Sequence, residues 1–298
     1  MKILIADDDP TSVLFLEDML TEWGYEVEVA VDGAAALRIL GAPDGPLLAI
    51  LDWMMPGMDG IDVCRTIRDS VKDRYVYMIM LTSRIETAYI VAAMNAGADD
   101  YIGKPFHPEE MQVRVRAGRR IAELEEELRY RATRDALTNI YNRGAIMDVL
   151  QKEVARQGRT QQAVSVIFCD LDHFKKVNDT LGHLAGDEVL REVTRRMAAV
   201  MRPYDCFGRY GGEEMLCVLP DCELAGALEV AERMRAAVAD TPVDTGYGAA
   251  QVTVSIGVAT MSRDEVSSLA QLLQRADHAL YRAKENGRNC VTIGVDER

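Results

Sequence analysis

Short apolar runs recur along the first hundred residues, separated by longer stretches in which apolar and polar positions alternate at helical spacing. The runs are KILIA, YEVEVA, LLAIL, VYMIML and DDYIG. Strands interleaved with helical patterns predict βαβ units, and hence a parallel five-stranded sheet over residues 1–106. The pattern then changes. Residues 107–133 (HPEEMQVRVRAGRRIAELEEELRYRAT) are charged and mostly helix-forming. Pro108 suits a first helical turn, and Glu109 and Glu110 suit its dipole. Along this helix Ala117, Ile121, Leu124 and Leu128 recur at spacings of four, three and four, the a/d seam of a parallel two-stranded coiled coil. A single solvated helix joining two domains is the alternative. Gly118, a poor helix former, marks a place for a bend. Residues 134–298 then read as helix, strand (163–169), two helices (about 174–201), a hairpin around Gly211-Gly212, helix (223–239), strand (251–259), helix (266–286) and a final strand (290–294). A βαββαβ order of this kind predicts a ferredoxin-like α+β domain.

Composition narrows the class. A chain of 298 residues has room for two cores, and its 48% hydrophobic and 28% charged content is ordinary for a folded protein. The formal net charge of −14 opposes nucleic acid and anionic membranes, so neither is an expected partner. Any anionic ligand would have to be held by local cations or metal. No apolar run approaches the roughly 20 residues that span a bilayer, and MKILIADDDP turns acidic too early for a signal peptide. Cys64, Cys169, Cys206, Cys217, Cys222 and Cys290 include no CxxC pair, and several lie inside apolar runs. Free thiols in a reducing cytosol fit that usage, and a cytoplasmic protein is the expectation.

Two groups of residues carry chemistry. In the first domain, Asp7 and Asp8 follow the first strand, Asp52 ends the third, Thr82 ends the fourth and Lys104 follows the fifth. Ligands of open α/β sheets bind at the carboxyl ends of the strands. Acids, a hydroxyl and an ammonium on one rim form a site for Mg2+ and a phosphoryl group. In the last domain, RYGGEEM (residues 209–215) and Asp170-Leu171-Asp172 each lie against an apolar run, AVSVIFC and MLCVL. Gly211-Gly212 accepts the positive φ of a tight hairpin. Such a hairpin would present Glu213 and Glu214 beside Asp170. Clustered carboxylates raise one another's pKa unless a cation sits among them, and hard oxygen ligands suit Mg2+. A solvated acidic turn is the competing reading of those residues alone.

RYGGEEM, DLDHFKKVND, LGHLAGD, YRAKENGRN and the earlier DALTNIYNR together resemble the GGDEF family of diguanylate cyclases, over residues 135–293. The resemblance implies that Asp170, Glu213 and Glu214 bind Mg2+ with help from the Leu171 carbonyl. It also implies that Lys175, Lys284 and Arg288 hold the triphosphate of GTP, and that Asn178 and Asp187 read guanine. A carboxylate can accept from both N1–H and the 2-amino group of guanine, a donor pair that adenine lacks. Lys284 and Arg288, four apart near a helix end, are expected on one face. Glu213 is the candidate general base, with base and ligand roles not separable from sequence. Arg202 and Asp205, in RPYD, and Arg233 resemble the family's inhibitory site for cyclic di-GMP. The chain departs from the family pattern at Met215, where Phe is usual, and at Asn139 and Gly144.

The first domain resembles the receiver domain of response regulators, a flavodoxin-like fold, through IADDDP, LDWMMPGMDG, LTS and YIGKPF. By that resemblance Asp52 accepts a phosphoryl group. Asp7, Asp8, Asp52 and the Met54 carbonyl hold Mg2+, Thr82 and Lys104 bind the phosphoryl oxygens, and Tyr101 switches rotamer with Thr82. A histidine kinase or phosphotransfer protein would be the donor. Cyclic di-GMP is two-fold symmetric, each GTP 3'-hydroxyl attacking the other's α-phosphate, so two sites must face each other and a homodimer is expected. The expectation is thus a phosphorylation-activated diguanylate cyclase with product inhibition. An inactive GGDEF domain that senses cyclic di-GMP is the alternative. No helix-turn-helix or basic patch supports a transcription regulator.

Overall fold

In the computed structural model, which describes residues 1–84, 86–262 and 268–295, the apolar runs become strands as their periodicity requires. The first unit, Met1–Tyr130, contains β1 (Lys2–Ala6), α1 (Pro10–Glu22), β2 (Glu26–Ala30), α2 (Gly33–Gly41), β3 (Leu48–Asp52), α3 (Gly60–Ser70), β4 (Tyr77–Thr82), α4 (Thr87–Asn95), β5 (Asp100–Gly103) and most of α5 (Pro108–Thr133). The strands form a parallel sheet in the order β2-β1-β3-β4-β5. Alternate residues point to opposite faces of a strand, so one core takes Leu4, Ala6, Ala49, Leu51, Met78 and Met80. The other takes Ile3, Ile5, Leu48, Ile50, Tyr77 and Ile79 together with Leu16 and Leu20 of α1 and Met111, Val115 and Ala122 of α5. All of β3 and β4 is buried, which is why both runs are continuously apolar.

Residues 107–133 therefore do more than connect. Met111, Val115, Gly118 and Ala122 form a buried stripe that completes the second core. At Gly118 the helix comes so close to the sheet that a Cβ would lie 2.5 Å from Tyr77 Cδ1 and 3.1 Å from Leu48 Cδ1. The glycine serves close approach, and α5 runs through it as one 26-residue helix with no break at the expected bend. The other apolar stripe, the predicted seam, is solvent-facing: Ile121, Leu124 and Leu128 are 39%, 48% and 61% exposed.

The second unit, Arg131–Arg298, has α6 (Arg143–Thr160), β6 (Val164–Leu171), α7 (Phe174–Leu181), α8 (His183–Ala199), β7 (Cys206–Gly211), β8 (Glu214–Pro220), α9 (Leu224–Ala239), β9 (Val243–Thr245), β10 (Gly248–Ala250), β11 (Val254–Met261), α10 (Leu269–Glu285) and β12 (Val291–Ile293). The order β12-β11-β6-β8-β7 gives the ferredoxin-like arrangement, with β6 antiparallel to both neighbours and β12 added in parallel. Ile167, Cys169, Leu171, Met215 and Cys217 face α8 and α9. Val164, Val166, Phe168, Leu216 and Val218 face α6 and α10. The predicted start of the last helix at 266, and the last three residues of the 134–298 span, lie outside the described residues. The β9–β10 hairpin, with three-residue strands, carries no periodic signal and was not expected. Met215, the departure from the family pattern, is fully buried opposite Cys169 and packs as the replaced aromatic would, an apolar side chain in the core.

Candidate active site

Asp170 occupies the penultimate position of β6 and pairs directly across the sheet with Glu214, the first residue of β8. By alternation both carboxylates fall on the α10 side. The turn before β8 is made by Gly211 and Gly212, the latter at φ +51°, and it carries Glu213. The Glu213 carbonyl accepts from Leu171 N–H at 3.4 Å, tying the turn to the end of β6. Burial pushes the Asp170 carboxyl above the usual aspartate range, and neighbouring Glu213 and Asp172 push it the same way against the pull of Lys284. Burial, with Asp170 close by, raises Glu214 too. Lys284 Nζ lies 2.9 Å from Asp170 Oδ2. Among the described residues no three acidic, His or Cys side chains yet converge on one point, one oxygen of the set being held by that lysine. An all-oxygen donor set that is anionic, half-buried and mutually repelling fits a hard divalent cation.

Of the predicted triphosphate ligands, Lys284 sits in the last turn of α10 and is paired with Asp170. Arg288 does not share its helical face. The helix ends at Glu285, and Gly287, Arg288 and Asn289 follow at φ +102°, +65° and +46°, a left-handed turn that redirects the arginine. Lys175 is the exposed second residue of α7. Asn178 of α7 and Asp187 of α8 are half-buried, and neither side chain has a hydrogen-bond partner among the described residues. Leu171 turns its side chain into the opposite core.

Two structural links escaped the motif reading. Asp172, 4% exposed, accepts from Thr253 Oγ1 (2.7 Å), Ser255 Oγ (2.6 Å) and the Asn289 N–H (3.0 Å). It fastens β11 and the arginine-bearing turn to the end of β6. Arg209 donates from Nε to the Gly212 carbonyl at 2.7 Å and from Nη1 to both oxygens of Asp135 at 3.1 and 3.2 Å. Asp135 begins the DALTNIYNR stretch, whose Tyr141 exchanges backbone hydrogen bonds with Phe207 and Arg209 along the edge of β7. The only sequence signal for either link is the charge itself, in a motif otherwise accounted for.

On another surface of this unit, Asp205 accepts from the Arg202 N–H at 2.9 Å, and the Arg202 guanidinium lies 5.9 Å from the Tyr204 ring centroid. Arg233 reaches from α9 to the Val200 carbonyl at 3.1 Å. Arg233 thus reaches the end of α8 two residues before Arg202.

The first unit gathers its own set. Lys104 Nζ lies 2.8 Å from Asp7 Oδ2 and 2.5 Å from Asp52 Oδ1. Asp7, Asp52 and Thr82 are 2%, 8% and 4% exposed, whereas Asp8 is exposed beside them. Burial raises the Asp52 carboxyl, with Asp7 adding to the rise and Lys104 opposing it. The other oxygen of Asp52 accepts from the Met54 N–H at 2.9 Å. Thr82 pairs with Gly103, so the Lys104 N–H donates to its carbonyl at 2.7 Å. Tyr101, half-buried on β5, pairs with Met80. Here too a lysine occupies the centre of an acidic set that suits Mg2+.

A doubly wound unit with an acid rim, followed by a ferredoxin-like unit with a Gly-Gly-Glu-Glu hairpin, defines a receiver coupled to a nucleotidyl-cyclase type of domain. The family model for the diguanylate cyclase GGDEF domain matches residues 132–290, more than half of the 298-residue chain, and that for the response regulator receiver domain matches residues 3–116. The chain belongs to the GGDEF family and carries a receiver domain ahead of it. Response regulator PleD of Caulobacter vibrioides is 32% identical over 300 residues, covering 97% of this chain; the chain spans 65% of that relative's length. The coiled coil and GGDEF domain of DgcB from Caulobacter crescentus, solved with c-di-GMP, superposes with a TM-score of 0.57 at 32% identity, over 62% of this chain and 97% of that one. Diguanylate cyclase SiaD of Pseudomonas aeruginosa, solved with its activator SiaC, gives 0.54 at 37% identity over 62% of this chain and 70% of that one. Among the described residues no helix is long and apolar enough to cross a membrane.

Proposed function

We propose that this chain condenses two GTP molecules into cyclic di-GMP, under control of phosphorylation at Asp52. The observation that carries the reading is the pairing of Asp170 with Glu214 beside the Glu213 turn, with raised carboxyl pKa values and a lysine on the site. Asp170, Glu213, Glu214 and the Leu171 carbonyl would hold Mg2+, which would acidify the attacking hydroxyl and offset charge on the α-phosphate. Lys175, Lys284 and Arg288 grip the triphosphate, and Lys284 exchanges its contact with Asp170 for phosphate oxygens. Asn178 and Asp187, which have unused hydrogen-bonding capacity, take the guanine. Glu213 accepts the proton of the 3'-hydroxyl as its oxygen bonds to the α-phosphorus of the second GTP and pyrophosphate leaves. The same step in reverse roles closes the ring, releasing a second pyrophosphate.

One site holds one GTP, so two copies of the chain must face each other. The solvent-facing stripe of Ile121, Leu124 and Leu128 supports a coiled-coil homodimer. In the receiver, Asp7, Asp8, Asp52 and the Met54 carbonyl would hold Mg2+, and a histidine kinase or phosphotransfer protein supplies the phosphoryl group. The added dianion recruits Thr82 and Lys104, with Tyr101 following Thr82, and biases how the two copies meet. Cyclic di-GMP docks at Arg202, Asp205 and Arg233, the two arginine guanidinium groups suiting phosphate and guanine, and restrains the product-forming arrangement.

Incubation of the purified chain with GTP and Mg2+, with and without beryllofluoride, tests the reading. Cyclic di-GMP should form and form faster with beryllofluoride. Binding of cyclic di-GMP with no turnover in either state would support a sensor instead.

A further inference from the structure

Gly186, the fourth residue of α8, is buried where α8 crosses α7. A Cβ at this position would lie 1.9 Å from Asn178 Oδ1 and 3.2 Å from Phe174 Cζ. These two neighbours differ in what they can yield. Phe174 is 7% exposed and locked in the core with Leu171 and Val189. The Asn178 amide is half-buried at the end of a flexible side chain, and no hydrogen bond to a described residue holds it. A methyl group at 186 would therefore displace the amide and press on the ring, which would have to give by a few tenths of an ångström. Asp187, whose carboxylate is likewise uncommitted, is the next residue of α8. Glycine is a poorer helix former than alanine, so α8 forgoes stability at this position.

We propose that Gly186 is a positioning residue for guanine recognition: the space its missing side chain leaves is the seat that holds the Asn178 amide beside Asp187. This rests on the proposed reading of Asn178 and Asp187 as the guanine contacts. Gly186 touches no substrate atom and acts only through Asn178.

The test measures affinity for 3'-deoxy-GTP, which cannot cyclise, and for tripolyphosphate, both with Mg2+. The proteins are the wild type, Gly186→Ala, Asn178→Ala and the double variant, each with its thermal midpoint. Loss of one hydrogen bond to the base predicts that Gly186→Ala weakens 3'-deoxy-GTP about tenfold. Tripolyphosphate affinity should not change. In the Asn178→Ala background the second substitution should cost nothing further. Unchanged 3'-deoxy-GTP affinity in Gly186→Ala, or losses that add in the double variant, would overturn the proposal. So would a fall in midpoint with equal weakening of both ligands, the mark of a purely structural role. If wild-type protein binds tripolyphosphate as tightly as 3'-deoxy-GTP, or Asn178→Ala costs nothing, the guanine reading itself fails, and Gly186 loses its role with it.

Discussion

Arg209 joins Asp135 to the Gly211-Gly212 hairpin: its Nη1 lies 3.1 Å from Asp135 Oδ1 while its Nε donates to the Gly212 carbonyl at 2.7 Å. The stretch after α5 and the turn bearing Glu213 thus share one guanidinium. Burial alone would raise the Asp135 carboxyl, but hydrogen bonds from Thr138 and the charge of Arg209 bring it below the usual aspartate range. The pair is partly buried, so it fixes geometry more than a solvated pair could.

Replacing Arg209 by Ala frees the hairpin without removing a metal ligand or a guanine contact. Misplacing a reacting group by about an ångström can cost on the order of a hundredfold in rate. Arg209→Ala should lower kcat by about ten- to a hundredfold and leave 3'-deoxy-GTP affinity within about threefold, as steady-state and binding measurements would report. Equal loss in both would place Arg209 in nucleotide binding.

Gly118→Ala sets two effects against each other. Alanine favours the helix by about 1 kcal/mol, while its methyl would press on the Tyr77 ring, itself 5% exposed. Overpacking a close-packed core costs about 1–3 kcal/mol, and here the neighbours are an aromatic ring and Leu48. The variant should be destabilised by about 1–2 kcal/mol in urea unfolding of the first unit. A gain in stability would mean that α5 stands further from β4 than described.

The strands and their buried faces were legible because each run is apolar at its own period and bounded by turn residues. The positions of the acids were legible because most of them stand beside an apolar run within a short motif. What was hidden lies far apart along the chain. Asp172 meets partners 81 and 117 residues away, and Arg209 meets Asp135 across 74. Arg288 misled because a spacing of four from Lys284 implies one helical face, but Gly287 ends the helical path between them. The double life of α5, one stripe buried and one exposed, was half seen: both stripes follow the same spacing of four, three and four, but the buried one contains Gly118 and Ala122, whose small side chains give a weaker apolar signal than Ile121, Leu124 and Leu128.

The raised carboxyls give a pH dependence with a definite sign. Asp170 and Glu214 have folded pKa values above their ordinary 3.8 and 4.5, so the stability they contribute is present below those values and lost as pH rises through the folded ones. As pH rises through the folded values both ionise and repel. Mg2+ should therefore raise the thermal midpoint of the second unit at high pH, where the carboxyls are ionised, and have less effect at low pH, where they are protonated. An equal Mg2+ effect at both pH values would exclude these carboxyls as the ligands.

Asp52 offers the test of control. Asp52→Ala should cyclise GTP at the unstimulated rate and show no increase with beryllofluoride, read by product chromatography. A beryllofluoride response that persists in the variant would remove Asp52 from the switch.

In the proposed reaction, carboxylates from β6 and the β7–β8 turn catalyse phosphodiester formation between two GTP molecules. Turnover of GTP with Mg2+ by Glu213→Gln, beside the wild type, tests it most directly. The account predicts cyclic di-GMP from the wild type and a loss of at least about a hundredfold in the variant, with its oligomeric state unchanged. Wild-type rates in Glu213→Gln would contradict it.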